Sequence, residues 1–425
     1  MNNSLFAIAV TSVLSSTVLA ESEHHLSLWF HARSTEELSF IHDQVDRFHQ
    51  IQNEIRIDAL ALPETGFTQH VIEQDRSGNG PDLIYFHTGN LSYLAWSGTI
   101  SPLNDLIASN VLDNTLPSVR AQGTYPADSQ LYALAPTDST PVLYGNRALL
   151  ADTSVEVPTT LDQAWTRLQF ENLLAELVEH GQRWPLELGL YQADPEWYMS
   201  VFSPIFYSQG ADLISRIKWD AHLAANSLFV RDVDDVLSEW FDHQWVVPAS
   251  KMNGRFYRRQ NSALSIATLQ HYERYKAELG DNLVVLPMPV LGPYPATTSG
   301  NYGWSITQSS EQSGMAARFI EFALSDAEVT AMSKRTLDVP GTHSAIQQSS
   351  LYGEGGPLAL VVEQLNRIAT PRPFHPAYPV IRDSFAQAMA NVVAGEDLRG
   401  ELSVMADRVD GHIRDADGFP PFNNL

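Results

Sequence analysis

The chain has 425 residues, 44% hydrophobic and 18% charged, with a formal net charge of −24. That length predicts two or three domains with sizeable cores, and the acidic balance excludes nucleic acid and anionic membrane surfaces as partners. There is no Cys, which excludes disulfides, a lipid-modified cysteine, and thiolate nucleophiles or metal ligands.

The first stretch, "MNNSLFAIAVTSVLSSTVLA", carries no charged side chain, has an apolar run from Leu5 to Leu14, and ends Val18-Leu19-Ala20. It reads as a signal peptide over 1–20, cleaved near Ala20, with a mature start near Glu21. The run is too short and too broken by Ser and Thr to span a membrane. No later stretch comes closer, so no membrane insertion is expected.

Strands and helices then alternate. "HLSLWFHA" (25–32) reads as a strand. "STEELSFIHDQVDRFHQ" (34–50) reads as a helix, with a capping box at Ser34 and Glu37 and an apolar face of Leu38, Ile41, Val45 and Phe48. "IRIDALAL" (55–62) is a strand, "FTQHVIEQDRSG" a helix ending at Gly78, "PDLIYF" a third strand, and "LSYLAWSG" a short helix. This alternation predicts an α/β fold with parallel sheets and right-handed crossovers. Ligands of such sheets sit outside the carboxyl ends of the strands. That singles out His31 and Arg33 after the first strand, and His87, Thr88 and Asn90 after the third.

"LYALAPTDSTPVLYGNRALL" (131–150) places Thr137-Asp138-Ser139-Thr140 between two short apolar strands, as a turn or a crossing between lobes. "LDQAWTRLQFENLLAELVEHG" predicts a long helix capped by Thr160 with Gln163. A strand (186–192), a helix (196–208) and an acidic helix (231–243) follow. Asp232, Asp234 and Asp235 read as a solvated helix start. "ALSIATLQHYERYKAELG" reads as strand then helix, "NLVVLPMPVLGPYP" as strand then Pro-rich crossing, "GNYGWSITQSS" as a strand, and 311–333 and 380–394 as helices. No strand leads into "GEGGP" (353–357), so it is not a phosphate loop.

Six segments occur in the order of a known family: "LSLWFHA", "GPDLIYFHTGNLSYLAWSGTISPLNDLI", "LYALAPTDSTPVLYGNRALL", "ALSIAT", "SGNYGWSITQSS" with "AARFIEFALS", and "TLDVPGTHSAI". Over nearly all of 25–400 the chain resembles the extracellular solute-binding proteins of ABC importers, the maltose-binding-protein-like group for carbohydrates. It departs from them at Gly145, which intervenes before Asn146, and at Gln270 or His271, where Trp is common.

The resemblance implies an α/β, type II-like periplasmic-binding-protein fold. Two lobes, each a mainly parallel sheet flanked by helices, enclose a ligand cleft. The expected lobes are 21–138 plus 291–338 and 139–290 plus 339–425, with crossings near 135–142, 285–295 and 336–345. It also implies a monomeric periplasmic protein that closes around a sugar or oligosaccharide and delivers it unaltered to the transmembrane subunits of a permease. No catalytic residue, cofactor or metal is expected.

A sugar offers an apolar face suited to Trp or Tyr and hydroxyls suited to polar side chains. The candidates are His31, Arg33, His87, Thr88, Asn90 and Asp138 from the first lobe. From the crossings and second lobe they are Trp197, Tyr198, Gln270, His271, Tyr302, Trp304, His343 and Arg372. Trp304 leads, because Gly300 and Gly303 bracket it. Arg33, His343 and Arg372 together would suit an acidic sugar.

Three rivals are weighed against this reading. Fifty Asp and Glu make a glycosidase pair easy to find, but there is no H-E-x-x-H, G-x-S-x-G or Walker-type loop. His24, His25 and His31 lie close in sequence, yet without Cys they read as exposed residues rather than a metal site. A non-sugar solute (a polyamine, a glycerophosphodiester or an amino-acid derivative) is the nearest alternative, because function lives in the pocket.

Overall fold

In strand His24–Phe30, Leu26, Leu28 and Phe30 point inward while His25 faces solvent. This period-2 pattern buries one face against helix Thr35–Ile51. The computed structural model describes residues 24–190, 194–215, 218–251 and 254–420; the expected signal peptide and its cleavage site lie outside the described residues. The Ser34 hydroxyl caps the helix by accepting from the Glu37 N–H at 3.2 Å. The Glu37 carboxylate does not close a capping box on Ser34. It accepts instead from the Arg33 backbone N–H at 2.8 Å and from the Arg33 side chain. The buried face of the helix carries Phe40 beside Ile41, Val45 and Phe48, and Leu38 is only half-buried.

The first sheet has the order Tyr302–Ile306, Leu83–His87, His24–Phe30, Ile55–Ala61. Its last three strands are parallel and its first is antiparallel. The second sheet has the order Leu283–Leu286, Val142–Asn146, Leu264–Ala267, Leu186–Glu187. Here the expectation of a mainly parallel sheet fails, because two of the three pairings are antiparallel. The reason is topological. Strands that start at a crossing must run away from the cleft, whereas strands that feed the cleft run toward it. Val142–Asn146 and Tyr302–Ile306 are of the first kind.

The crossings are short paired strands. Thr137–Asp138 pairs antiparallel with Val339–Pro340, and Thr297–Ser299 pairs parallel with Ala369–Pro371. Residues 339–365 do not join the second core, as the expected lobe boundaries had it. Val339, Tyr352, Leu358 and Val361 belong to the cluster that holds the core of the first sheet and also takes in Val142, Tyr144, Tyr272 and Tyr275, and the Leu116 N–H donates to the Gly341 carbonyl. The chain enters the second core only at helix Tyr378–Val393, which packs there with helices Pro195–Gln209 and Leu398–Asp415. Beyond that last helix it returns to the first lobe, where the Trp96 indole N–H donates to the Pro420 carbonyl at 2.5 Å.

One helix starts later than the sequence suggests. Residues 161–163 form a single 3₁₀ turn, and the helix proper is Arg167–Glu179, closed by a capping box of Thr166 and Gln169. Both Thr160 and Thr166 stand three residues before a Gln, so the pattern alone does not choose between them. Trp165 chooses, because its ring is buried in the second core with the indole N–H donating to the Glu156 carbonyl at 2.8 Å. The expected helix 311–333 likewise divides into Ser313–Ala323 and Asp326–Thr336.

Candidate ligand cleft

The carboxyl ends of the first sheet and of strand Leu264–Ala267 border a cleft of about 620 Å³ between the two cores. Arg33, His87, Trp197, Gln270, His271, Tyr302 and Arg372, all expected site residues, line it. Two hydrogen-bonded networks make its walls.

On the first wall, Arg33 Nη2 donates to Asp338 at 2.7 Å and to Glu37 at 3.1 Å, and its guanidinium lies 5.1 Å from the centre of the Tyr302 ring. Both carboxylates are essentially inaccessible, at 1% for Glu37 and 0% for Asp338. Burial pushes the Glu37 carboxyl up, but Arg33 outweighs it and holds the carboxyl below the ordinary range. Gln270 reaches over from the second lobe to donate to Asp338 at 2.8 Å. Asn301, buried beside them, donates to Thr137 on the crossing strand at 2.9 Å.

On the second wall, Asp194 caps helix Pro195–Gln209 by accepting from the Glu196 N–H at 3.0 Å. That cap sets Glu196 and Trp197 in the first turn, facing the cleft. The Tyr378 hydroxyl donates to Glu196 at 2.8 Å, Arg372 Nε donates to it at 3.2 Å, and Arg382 lies 3.6 Å away. Arg372 also donates to Ser200 at 2.7 Å, leaving Nη1 without a protein partner. His87 faces Glu196 from the first lobe at 3.6 Å. Burial pushes the Glu196 carboxyl up, yet His87, Arg372, Arg382 and Tyr378 together pull it down to about 2. Burial holds His87 itself near 4, so the ring is neutral at physiological pH. The two guanidinium groups and the tyrosine hydroxyl then carry the stabilisation of Glu196. Behind this wall, Tyr378 packs against the backbone at Gly89, where any Cβ would come within 2.5 Å of its ring.

The other expected residues lie elsewhere. Trp304 is a core residue: it is 0% exposed, 4.5 Å from Tyr85 and 5.3 Å from Phe319 between ring centres. It shares a strand face with Tyr302 but sits two residues, about 7 Å, deeper. Tyr302 stands at the cleft end and takes the role expected of Trp304. The bracketing glycines serve packing, Gly300 against Arg372 and Gly303 against Thr88 and Ala133. Tyr198 is buried in the second core beside Phe202. His343 is exposed at the start of helix His343–Gln348 and does not line the cleft.

Others support the cleft from behind. His31 bonds the Tyr302 hydroxyl at 2.9 Å. Thr88 donates to the Asn301 carbonyl at 2.8 Å. Asp138 is buried, accepting from Gln122 at 2.9 Å and from the Ser139 N–H at 2.8 Å. Asn90 precedes helix Leu91–Trp96, half-buried and without a side-chain cap bond.

Sequence reasoning missed Glu64, Asp194, Glu196, Asn301 and Thr268, which line the cleft, and Asp338 and Arg382 just behind it. The strand-end rule applied to 186–187 would have found Asp194 and Glu196. Asp338 gave no such signal, because it becomes a site residue only through the pairing of Val339–Pro340 with Thr137–Asp138. A side chamber of about 240 Å³, lined by Glu187, Tyr257, Arg258 and Arg274, adjoins the cleft and shares Trp197, Thr268 and His271 with it.

Residues 43–352 match the family described as bacterial extracellular solute-binding protein. The chain belongs to that family. It is a solute-binding family of ABC transporters, not one of enzymes. No curated protein matches this solute-binding protein in sequence. Solved structures do match it in fold. The sugar-binding protein MalE of Xanthomonas citri superposes with a TM-score of 0.76 at 16% identity, covering 92% of this chain and 98% of that one. The cyclic alpha-maltosyl-1,6-maltose binding protein of Arthrobacter globiformis gives 0.73 at 21% identity, covering 93% and 100%. The GacH receptor of Streptomyces glaucescens, solved unliganded and with acarbose, gives 0.71 at 18% identity, covering 93% and 98%.

Proposed function

We propose that this protein binds a carbohydrate between its lobes and hands it, unaltered, to the transmembrane subunits of an ABC importer from the periplasmic side, acting as a monomer. The observation that carries this reading is the combination of ring faces and neutral hydrogen-bonding groups around one cleft. Trp197 and Tyr302 are the aromatic residues that line it; Ser139, Thr268, Gln270 and Asn301 supply the neutral groups. A sugar ring has both surfaces, and its hydroxyls pair with donors and acceptors alike. The lobes it joins are 24–138 with 300–368, and 142–287 with 377–415. Contacts from both favour the closed state, as a hinged binder requires. The side chamber beside Trp197 gives room for a further ring. Structural neighbours have been solved with maltose, maltotetraose and acarbose bound, which supports a sugar here.

The arrangement disfavours the acidic-sugar variant of this reading. Arg33 and Arg372 already face carboxylates, and His343 lies outside the cleft. Thermal-shift screening against neutral sugars, aminated sugars, uronates, polyamines and glycerophosphodiesters tests the proposal. A ligand at ~100 times its dissociation constant adds about 2.7 kcal/mol. A response to polyamines or glycerophosphodiesters with none to any sugar refutes it.

A further inference from the structure

We infer that the solute carries a cationic nitrogen, so that the cleft selects an aminated sugar over its neutral and acidic counterparts; this rests on the carbohydrate reading above. The argument starts from which charges remain unspent. The arginines at the cleft are spent on protein carboxylates. Arg33 is held by Glu37 and Asp338. Arg372 is held by Glu196, and Arg382 lies between Glu196 and Asp383. Arg335 at the rim has an exposed side chain and points to Asp43 at 3.6 Å. Burial leaves His87 and His271 uncharged, each near 4. Among the described residues that line the cleft, each guanidinium thus faces a carboxylate, and Arg372 Nη1 is the donor left without a protein partner.

The carboxylates are not spent in the same way. Glu64, on the loop after strand Ile55–Ala61, and Asp194, at the head of helix Pro195–Gln209, both line the cleft. Among the described residues neither forms an ion pair with Lys or Arg. Glu64 lies 3.6 Å from His31, whose ring burial pushes down, and it feels Arg382 only at longer range than an ion pair. Asp194 has its capping bond and a longer-range attraction to Arg382. Against Arg33, Arg372 and Arg382 stand the four carboxylates that bind them. Glu64 and Asp194 raise the carboxylates to six against three guanidinium groups, a net charge of −3.

These two carboxylates approach from opposite lobes. Burial pushes Glu64 up; Arg382 pulls it back, and Glu196 and Asp383 add to the rise. Burial likewise pushes Asp194 up, with Glu196 and Glu64 adding to it. Closing the lobes on a neutral guest brings like charges nearer and costs free energy. An ammonium between them reverses the sign of that interaction, and it touches both lobes at once, which is the differential contact that closure needs.

The test is calorimetric titration of the full mature chain with matched sets: glucose, glucosamine and glucuronate; cellobiose and its fully deacetylated 2-amino counterpart; maltose; and spermidine. The aminated member of a set should bind roughly tenfold or more tightly than its neutral counterpart, about 1.4 kcal/mol. E64Q and D194N should each erode that preference while both variants melt close to wild type, since Glu64 makes no Lys or Arg pair among the described residues and Asn at 194 keeps an acceptor for the Glu196 N–H. Raising salt should erode it too. A neutral sugar or a uronate binding at least as tightly as the amine overturns the inference, as does a preference that survives E64Q and D194N together, or silence from every compound. Binding of spermidine without any sugar refutes the carbohydrate reading and leaves cation selection standing.

Discussion

Replacing Glu196 by Gln keeps the shape of the second wall and removes its charge. Tyr378 retains an acceptor, but Arg372, 7% exposed, loses its counter-charge, and Arg382 keeps only Asp383. The pull of the Glu196 carboxyl to about 2 includes His87, which is neutral at pH 7.5, so at that pH the guanidinium groups and Tyr378 carry it. Breaking a buried pair by removing one partner costs about 3–5 kcal/mol. Urea unfolding at pH 7.5 should therefore show E196Q less stable by about 3 kcal/mol, a midpoint shift near ~1 M. The acid limb gives a second reading. Glu196 has a folded pKa below its unfolded one, so its contribution is complete above about pH 4.5 and is lost as pH falls toward 2. His87 is also depressed, from 6.5 to about 4, so its protonation erodes stability from pH 6.5 down through 4 in the wild type. E196Q should lose the steeper limb below pH 4.5. A variant within ~1 kcal/mol of wild type at pH 7.5, with an unchanged acid limb, would show that Glu196 is merely solvated and refute the reasoning.

On the first wall, R33M should cost roughly 3 kcal/mol in the same urea assay, because it strands Glu37 and Asp338 without a cation. T166A should cost about 1 kcal/mol and T160A less than ~0.5 kcal/mol, since only Thr166 caps the helix; equal costs would contradict the observed helix start. W304A should destabilise by about 3–5 kcal/mol yet leave the affinity for a bound sugar unchanged, measured by titration below the melting transition. W197A should do the reverse in affinity, weakening sugar binding about tenfold or more, because its ring lines the cleft.

Much of the first lobe was legible because its elements are local and repetitive. The strand at 25–32, the Ser34-capped helix and the strand ending at His87 each carry their own period and punctuation, and strand ends predict where a ligand sits. The second lobe was harder. Its strand Leu186–Glu187 has only two residues, too few to show alternation, and its pairing directions follow from which strands start at a crossing. Trp304 misled for a physical reason. A Trp flanked by Gly reads as an exposed loop ring, but strand alternation put Tyr302 and Trp304 on one face at different depths, and only the depth decides the role. The ionic residues were least legible. Glu196 and Arg372 are 176 positions apart in sequence and Arg33 and Asp338 are 305 apart, so each is an ordinary surface charge until the fold brings its partner.

Where those networks are anchored bears on how the cleft closes. Asp338 adjoins the paired strand Val339–Pro340, Asn301 bonds Thr137, and Arg372 follows directly on Ala369–Pro371. Both charged networks are thus fastened to the crossings, where a hinge rotation displaces atoms least. Their bonds across the lobes, Gln270 to Asp338 and the His87–Glu196 approach, need change little between open and closed states. Glu64 and Asp194 are fastened differently, on a loop and at a helix start, and both are exposed. Rotation moves such groups furthest relative to each other. The floor of the cleft is therefore built for rigidity and the mouth for response. Substitutions at Glu196 or Arg33 should be read first in stability, and substitutions at Glu64 or Asp194 first in which guest closes the lobes.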